Sequence, residues 1–189
     1  MALGSIHDLL IHQLRDLYSA ERQILLVWPQ LIDRSASQAL RTALAGHRDE
    51  TARHVVRLEE AFWLLETVPH GVRCRGMEGL LMEALSNASA QSDPALRDSG
   101  IIADCQRVEG YELAVYGTAR IFAESLGHHR IVAMLERTLE EEEAIDAVLS
   151  GIAEREVGPA ALRAASREAR HPELVRSFSA PRRQLRITV

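Results

Sequence analysis

The stretch Leu40-Arg-Thr-Ala-Leu44-Ala-Gly-His47-Arg-Asp-Glu50-Thr-Ala-Arg-His54-Val-Val-Arg-Leu58 reads as a helix whose apolar stripe is interrupted by charge. Leu40, Ala43, Leu44, Leu58, Ala61 and Leu65 follow the three-and-four spacing of one buried face. His47, Glu50 and His54 occupy that same face. A buried carboxylate is costly unless it is paired, protonated or bound to a cation. The stretch therefore predicts a core helix that carries a polar function.

The interruption recurs in three other segments. Glu21 falls in the stripe Leu10, Leu14, Leu17, Ile24, Trp28, and Glu109 with Glu112 in Ile102, Cys105, Tyr116, Ala119, Ala123. Glu142 falls in Ile131, Leu135, Thr138, Ile145, Leu149, Ile152, with Asp146 one turn further on. One acid on each of four helices predicts a shared cation, in the outline of a carboxylate-bridged di-metal site inside a four-helix bundle. Residues i and i+4 share a helix face, so His54 can join Glu50, and Asp146 can join Glu142. The familiar Glu-x-x-His spacing of such bundles is off by one in both halves, because Arg53 and Ile145 stand at the +3 positions. Pattern alone leaves a second reading open, a mixture of core and surface acids. Within the run Glu140 to Glu143, only Glu142 faces the core; Glu140, Glu141 and Glu143 read as solvated, as do Glu59, Glu60, Glu66 and Glu124. His47 reads as a partner of the ligands or a satisfied core histidine. His7, His12, His70, His128, His129 and His171 lie near termini or loops. Tyr18 and Tyr111 lie near ligand-bearing turns, with packing as their expected role.

Working outward, the first helix starts after Gly4-Ser5, with Ser5 as N-cap and Asp8 at the capping-box position, and Pro29 is expected to kink or end it. The second runs from Ser37 to before Pro69. A shorter amphipathic helix covers Met77 to Ala88. The third long helix runs from Pro94 or Asp98 to Leu126, capped by Gly127, and the fourth from His129 to Glu156, broken by Gly158-Pro159. Two hairpins joined by a long middle segment predict an all-α, ferritin-like four-helix bundle with one crossover over residues 1–158. Residues 159–189 hold a short helix at 160–170 and a basic tail with Arg176, Arg182, Arg183 and Arg186. The run Leu185 to Val189 is the only strand-like stretch.

The chain of 189 residues is 47% hydrophobic but only 4% aromatic, which suits closely packed helices in one domain. Net charge of −5 argues against a general nucleic-acid binder. All 22 basic residues are Arg, which excludes Schiff-base lysine chemistry. Cys74 and Cys105 match no metal-ligand spacing and read as reduced core residues. No signal peptide or membrane span is legible, so a cytoplasmic protein is expected. No phosphate loop or nucleophile elbow occurs.

The segments Asp16-Leu-Tyr-Ser-Ala-Glu21-Arg-Gln, His47-Arg-Asp-Glu50-Thr, Arg57-Leu-Glu59, Cys74-Arg-Gly-Met-Glu-Gly-Leu, Val108-Glu-Gly-Tyr-Glu112-Leu-Ala-Val-Tyr-Gly-Thr and Thr138-Leu-Glu-Glu-Glu-Glu-Ala-Ile-Asp146 together resemble the YciE/YciF family of bacterial ferritin-like proteins. The resemblance covers about residues 5–155. It implies a four-helix bundle with a fifth short helix, a homodimer, a di-iron-type centre and an association with stress responses. By position it assigns Glu21, Glu50, Glu109, Glu112, Glu142 and Asp146 to the family's acids. Gly110 stands where the family usually has His, and His54 stands where Gln is frequent, offering a compensating nitrogen. Two functions follow as expectations. The first is an oxidoreductase with two transition-metal ions, iron or manganese, acting on dioxygen or peroxide. The second is a non-catalytic metal-binding scaffold.

Overall fold

Ser5 accepts the Asp8 amide at 3.1 Å and opens α1, Ile6–Arg34. The structure, a computed structural model, describes residues 4–170 and is all-α, with no strand among the described residues. After α1 come α2 (Gln38–Leu64), α3 (Arg75–Ala90), α4 (Pro94–Ser125), α5 (His129–Ile152) and α6 (Gly158–Arg170). The basic tail and the strand-like run at 185–189 lie outside the described residues.

Pro29 neither ends nor interrupts α1 as assigned; the helix continues to Arg34. A proline forfeits one backbone hydrogen bond, and burial of Trp28 and Leu31 on either side of it holds the turn in place. Ser37 caps α2 by accepting the Leu40 amide at 3.2 Å. Asp93 caps α4 through the amides of Ala95 and Leu96, with Pro94 at the first helical position. Gly127, at φ 74°, supplies the left-handed residue between α4 and α5.

Four helices form a ring, with α1 packed on α2, α2 on α5, α5 on α4, and α4 on α1. The short links 35–37 and 126–128 make α1–α2 and α4–α5 antiparallel hairpins. The crossover climbs the outside of the bundle. Arg15 holds Val68 and Thr67, Ser19 and Gln23 hold the Cys74 backbone, and α3 then lies against α1 and α4. It delivers the chain to the α1–α2 turn, where buried Asp98 of α4 accepts the amides of Ala36 at 2.8 Å and Ser37 at 2.7 Å.

Gly158-Pro159 does not break the last helix. Residues Ala153–Val157 form a π-helical turn in which the Gly158 amide reaches the Ala153 carbonyl, and the chain continues into α6 against α4. A Cβ at Gly158 would lie 2.6 Å from that carbonyl oxygen. The wider turn thus depends on glycine there, and it takes up the irregularity that Pro159 introduces.

The core is divided. One apolar cluster contains Ile24, Trp28, Leu31, Leu40, Leu44, Met77, Ile102, Cys105 and Leu149. The other contains Leu10, Leu14, Leu17, Leu58, Phe62, Tyr116, Ala123, Ile131 and Leu135. The interrupted stripes meet between them.

Candidate metal centre

Glu21 of α1, His47, Thr51 and His54 of α2, Glu109 and Glu112 of α4, and Thr138 and Glu142 of α5 form this buried polar layer. Each of its acids is 0% exposed. Periodicity explains the convergence. Each acid continues an apolar stripe that the ring turns inward, and the antiparallel hairpins bring mid-helix positions to one depth.

Two groups of ligand atoms emerge, each within 4.8 Å of one another: His47, Glu109, Glu112 and Glu142, and Glu21, His54 and Glu142. Glu142 belongs to both. Its Oε2 lies 3.6 Å from His47 Nε2, and its Oε1 lies 3.0 Å from His54 Nδ1. His47 Nε2 is also 3.5 Å from Glu109, and His54 Nδ1 is 3.2 Å from Glu21. The rings of Trp28, His47, His54 and Tyr116 follow one another at centroid spacings of 6.0, 6.2 and 6.3 Å. Tyr116 donates to Glu21 at 2.5 Å.

Both oxygens of Glu109, Glu112 and Glu142, Oε2 of Glu21, both ring nitrogens of His47 and Nδ1 of His54 are buried without a hydrogen bond of acceptable geometry. Buried polar atoms are nearly always satisfied, so such a concentration at one place fits a bound cation. The donor set, carboxylate oxygens with one imidazole in each group, is of a kind that could hold metal ions.

Electrostatics follow from the crowding. Burial, then repulsion from Glu142, pushes Glu109 well above the usual carboxylate range; burial, then repulsion from Glu21, does the same to Glu112. Burial opposes ionisation of Glu142 as well, but contact with His54 outweighs it and lowers its pKa. Burial also opposes the His54 imidazolium, yet Glu21 and Glu142 together raise it to about 10. Outside the layer, burial of Glu141 is overcome by Arg57 and His54, which pull it down to about 2.

Of the seven residues read from the sequence, five meet here: Glu21, His54, Glu109, Glu112 and Glu142. Glu50 does not join either group; its side chain is 32% exposed and reaches His47 Nδ1 at 3.5 Å. Asp146 is half-buried and accepts from Gln106 at 3.0 Å. Glu141, assigned to solvent, is instead half-buried and bonded to Arg57 and His54. His47 lies in the layer itself. The signal for it was its seven-residue distance from His54, two turns along one face. Tyr111 serves elsewhere, donating to Asp16 at 2.5 Å beside Cys74, and Tyr18 donates to Glu59. Both cysteines are buried and free, as expected.

Fold and site together define a ferritin-like four-helix bundle with a buried carboxylate–histidine layer that can hold metal ions. The chain belongs to the DUF892 family, described as a domain of unknown function, whose model matches residues 5–162. It is 34% identical over 154 residues to Protein YciF of Escherichia coli (strain K12), covering 81% of this chain and 93% of that protein. The crystal structure of YciF, described as an E. coli stress protein, superposes with a TM-score of 0.79 over 82% of this chain and 99% of that one. YcfI of Rhodopseudomonas palustris, described as a candidate structural protein, is 39% identical, with a TM-score of 0.76 over 78% of this chain and 94% of its own. These likenesses bear out the family resemblance carried by the motifs. Among the described residues, no helix is long and apolar enough to cross a membrane.

Proposed function

We propose that the chain is a di-metal carboxylate protein holding two transition-metal ions, iron or manganese, and reacting with a small oxidant, dioxygen or peroxide. The observation that carries this reading is Glu142, whose two oxygens face two different histidine–carboxylate groups. Glu21, His54, Glu109, Glu112 and Glu142 are the proposed ligands, with His47 added; Glu50 and Asp146 stand beside them as further candidates. Bound ions would supply the redox chemistry. The chain's own part is to exclude water by complete burial, to orient Glu21 through the Tyr116 hydroxyl, and to keep protons on Glu109 and Glu112 when no ion is bound. A cytoplasmic homodimer linked to stress response completes the proposal and rests on the family resemblance and the sequence.

Complete burial of the acids also favours a second reading, in which the ions stabilise a dimeric scaffold without turnover. Anaerobic loading with Fe(II), elemental analysis and a peroxide-decay assay separate the two. Two ions per chain with peroxide consumption that Glu142→Gln abolishes is the expected result. Two ions with a raised Tm but no consumption selects the scaffold. Absence of bound metal overturns both.

A further inference from the structure

The two histidines of α2 are approached from opposite sides by carboxylates that lie outside the buried layer. His47 turns Nε2 to Glu109 and Glu142, while its Nδ1 faces Glu50 at 3.5 Å. His54 does the reverse. Its Nδ1 turns to Glu21 and Glu142, while its Nε2 meets Glu141 at 2.9 Å. Glu141 is itself fixed, since Arg57 grips both of its oxygens at 2.5 and 2.8 Å and also donates to Thr138. Glu50 is held more loosely by Arg53 at 3.5 Å.

A ring nitrogen that donates its proton to a carboxylate leaves the other nitrogen's lone pair for a cation, so the outer acid selects the ligating atom. Resting on the di-metal reading above, we infer that His47 ligates through Nε2 and His54 through Nδ1, one to each ion, and that Glu50 and Glu141 are positioning residues that fix those choices. Helix geometry accounts for the inversion. Glu50 lies one turn beyond His47 on the same helix, whereas Glu141 comes from the adjacent helix α5. The two acids therefore approach their rings from different directions. The assignment moves Glu50 from ligand to support, and it gives the acid run at 140–143 two inward members with different tasks.

Co(II) is a suitable probe because each cobalt-bound histidine gives a strongly shifted exchangeable N–H proton resonance. The full-length wild-type chain loaded with two Co(II) should show two such signals. One ring should carry two carbon-bound protons next to its metal, as Nε2 ligation requires, and the other only one, as Nδ1 ligation requires. Glu50→Gln and Glu141→Gln should each retain two ions, shift only their own histidine's N–H signal, and bind Co(II) about 10- to 100-fold more weakly. Glu141→Asp should partly restore affinity. His47→Ala and His54→Ala should each lose one ion, with added imidazole restoring it. Two rings of the same ligation type, or loss of an ion in Glu50→Gln, would overturn the assignment while leaving the di-metal reading intact. A wild-type chain that binds no Co(II) sinks both. The wild-type spectrum decides the nitrogen assignment even if the alanine variants do not fold.

Discussion

His54 carries a proton that stands in for a cation. Its folded pKa of about 10 lies above the ordinary histidine value, so the stability it lends is complete below about pH 6.5 and lost as pH rises toward 10. Glu109 and Glu112, also raised, act in the same direction, since their neutral forms are favoured in the fold. Glu141 has the opposite sign: its depressed pKa lends stability that disappears as pH falls from the ordinary carboxylate range toward about 2. The ion-free protein should therefore melt at progressively lower temperature between pH 6.5 and 10, and ion-loaded protein should not. Thermal melts in chelator at three pH values check this; a flat profile refutes it. The sequence exposed Glu21, His54, Glu109, Glu112 and Glu142 because each broke an apolar stripe. It misplaced Glu141 because that residue lies about 100° around the helix from Glu142, at the rim of the buried stripe, and Arg57, which holds it there, lies on another helix. Glu50 shares the stripe of His47 but sits at its edge, a distinction that depends on how the whole ring is turned.

Helix ends and crossings carry their own tests. Asp98 accepts the amides of Ala36 and Ser37, two of the three residues that link α1 to α2, so Asp98→Ala leaves those donors without their acceptor and should cost about 1–3 kcal/mol in chemical denaturation. At the start of α3, a Cβ on Gly76 would stand 2.9 Å from the Tyr111 ring, whose hydroxyl is tied to Asp16 and Cys74. Gly76→Ala should destabilise the protein by about 1–3 kcal/mol. Combined with Tyr111→Ala, which empties that space, it should add little further loss. A double-mutant cycle showing simple additivity would falsify the contact. The helices themselves were legible, since caps at Ser5, Ser37 and Gly127 are local chemistry. The passage through Pro29 and the π turn before Gly158 were not. Both are decided by what packs around the irregular turn, which no residue nearby in sequence encodes.

Across the whole molecule, two apolar clusters flank a layer of unsatisfied acids that joins all four long helices. Ions that bind only the folded chain should raise its stability by about 4 kcal/mol at a thousandfold excess over Kd, an increase that a chelator reverses. Calorimetry with and without chelator measures it. The same layering has a consequence for how the molecule breathes. Helix residues beside Leu10, Phe62 and Ala123 belong to one cluster, and those beside Trp28, Leu40 and Ile102 to the other. Amide hydrogen exchange in the ion-free chain should therefore sort into two groups with distinct opening energies, two foldons stacked end to end. Bound ions, by bridging all four helices at the boundary, should fuse them into one. The centre would then act as the coupling between two halves that otherwise open on separate clocks.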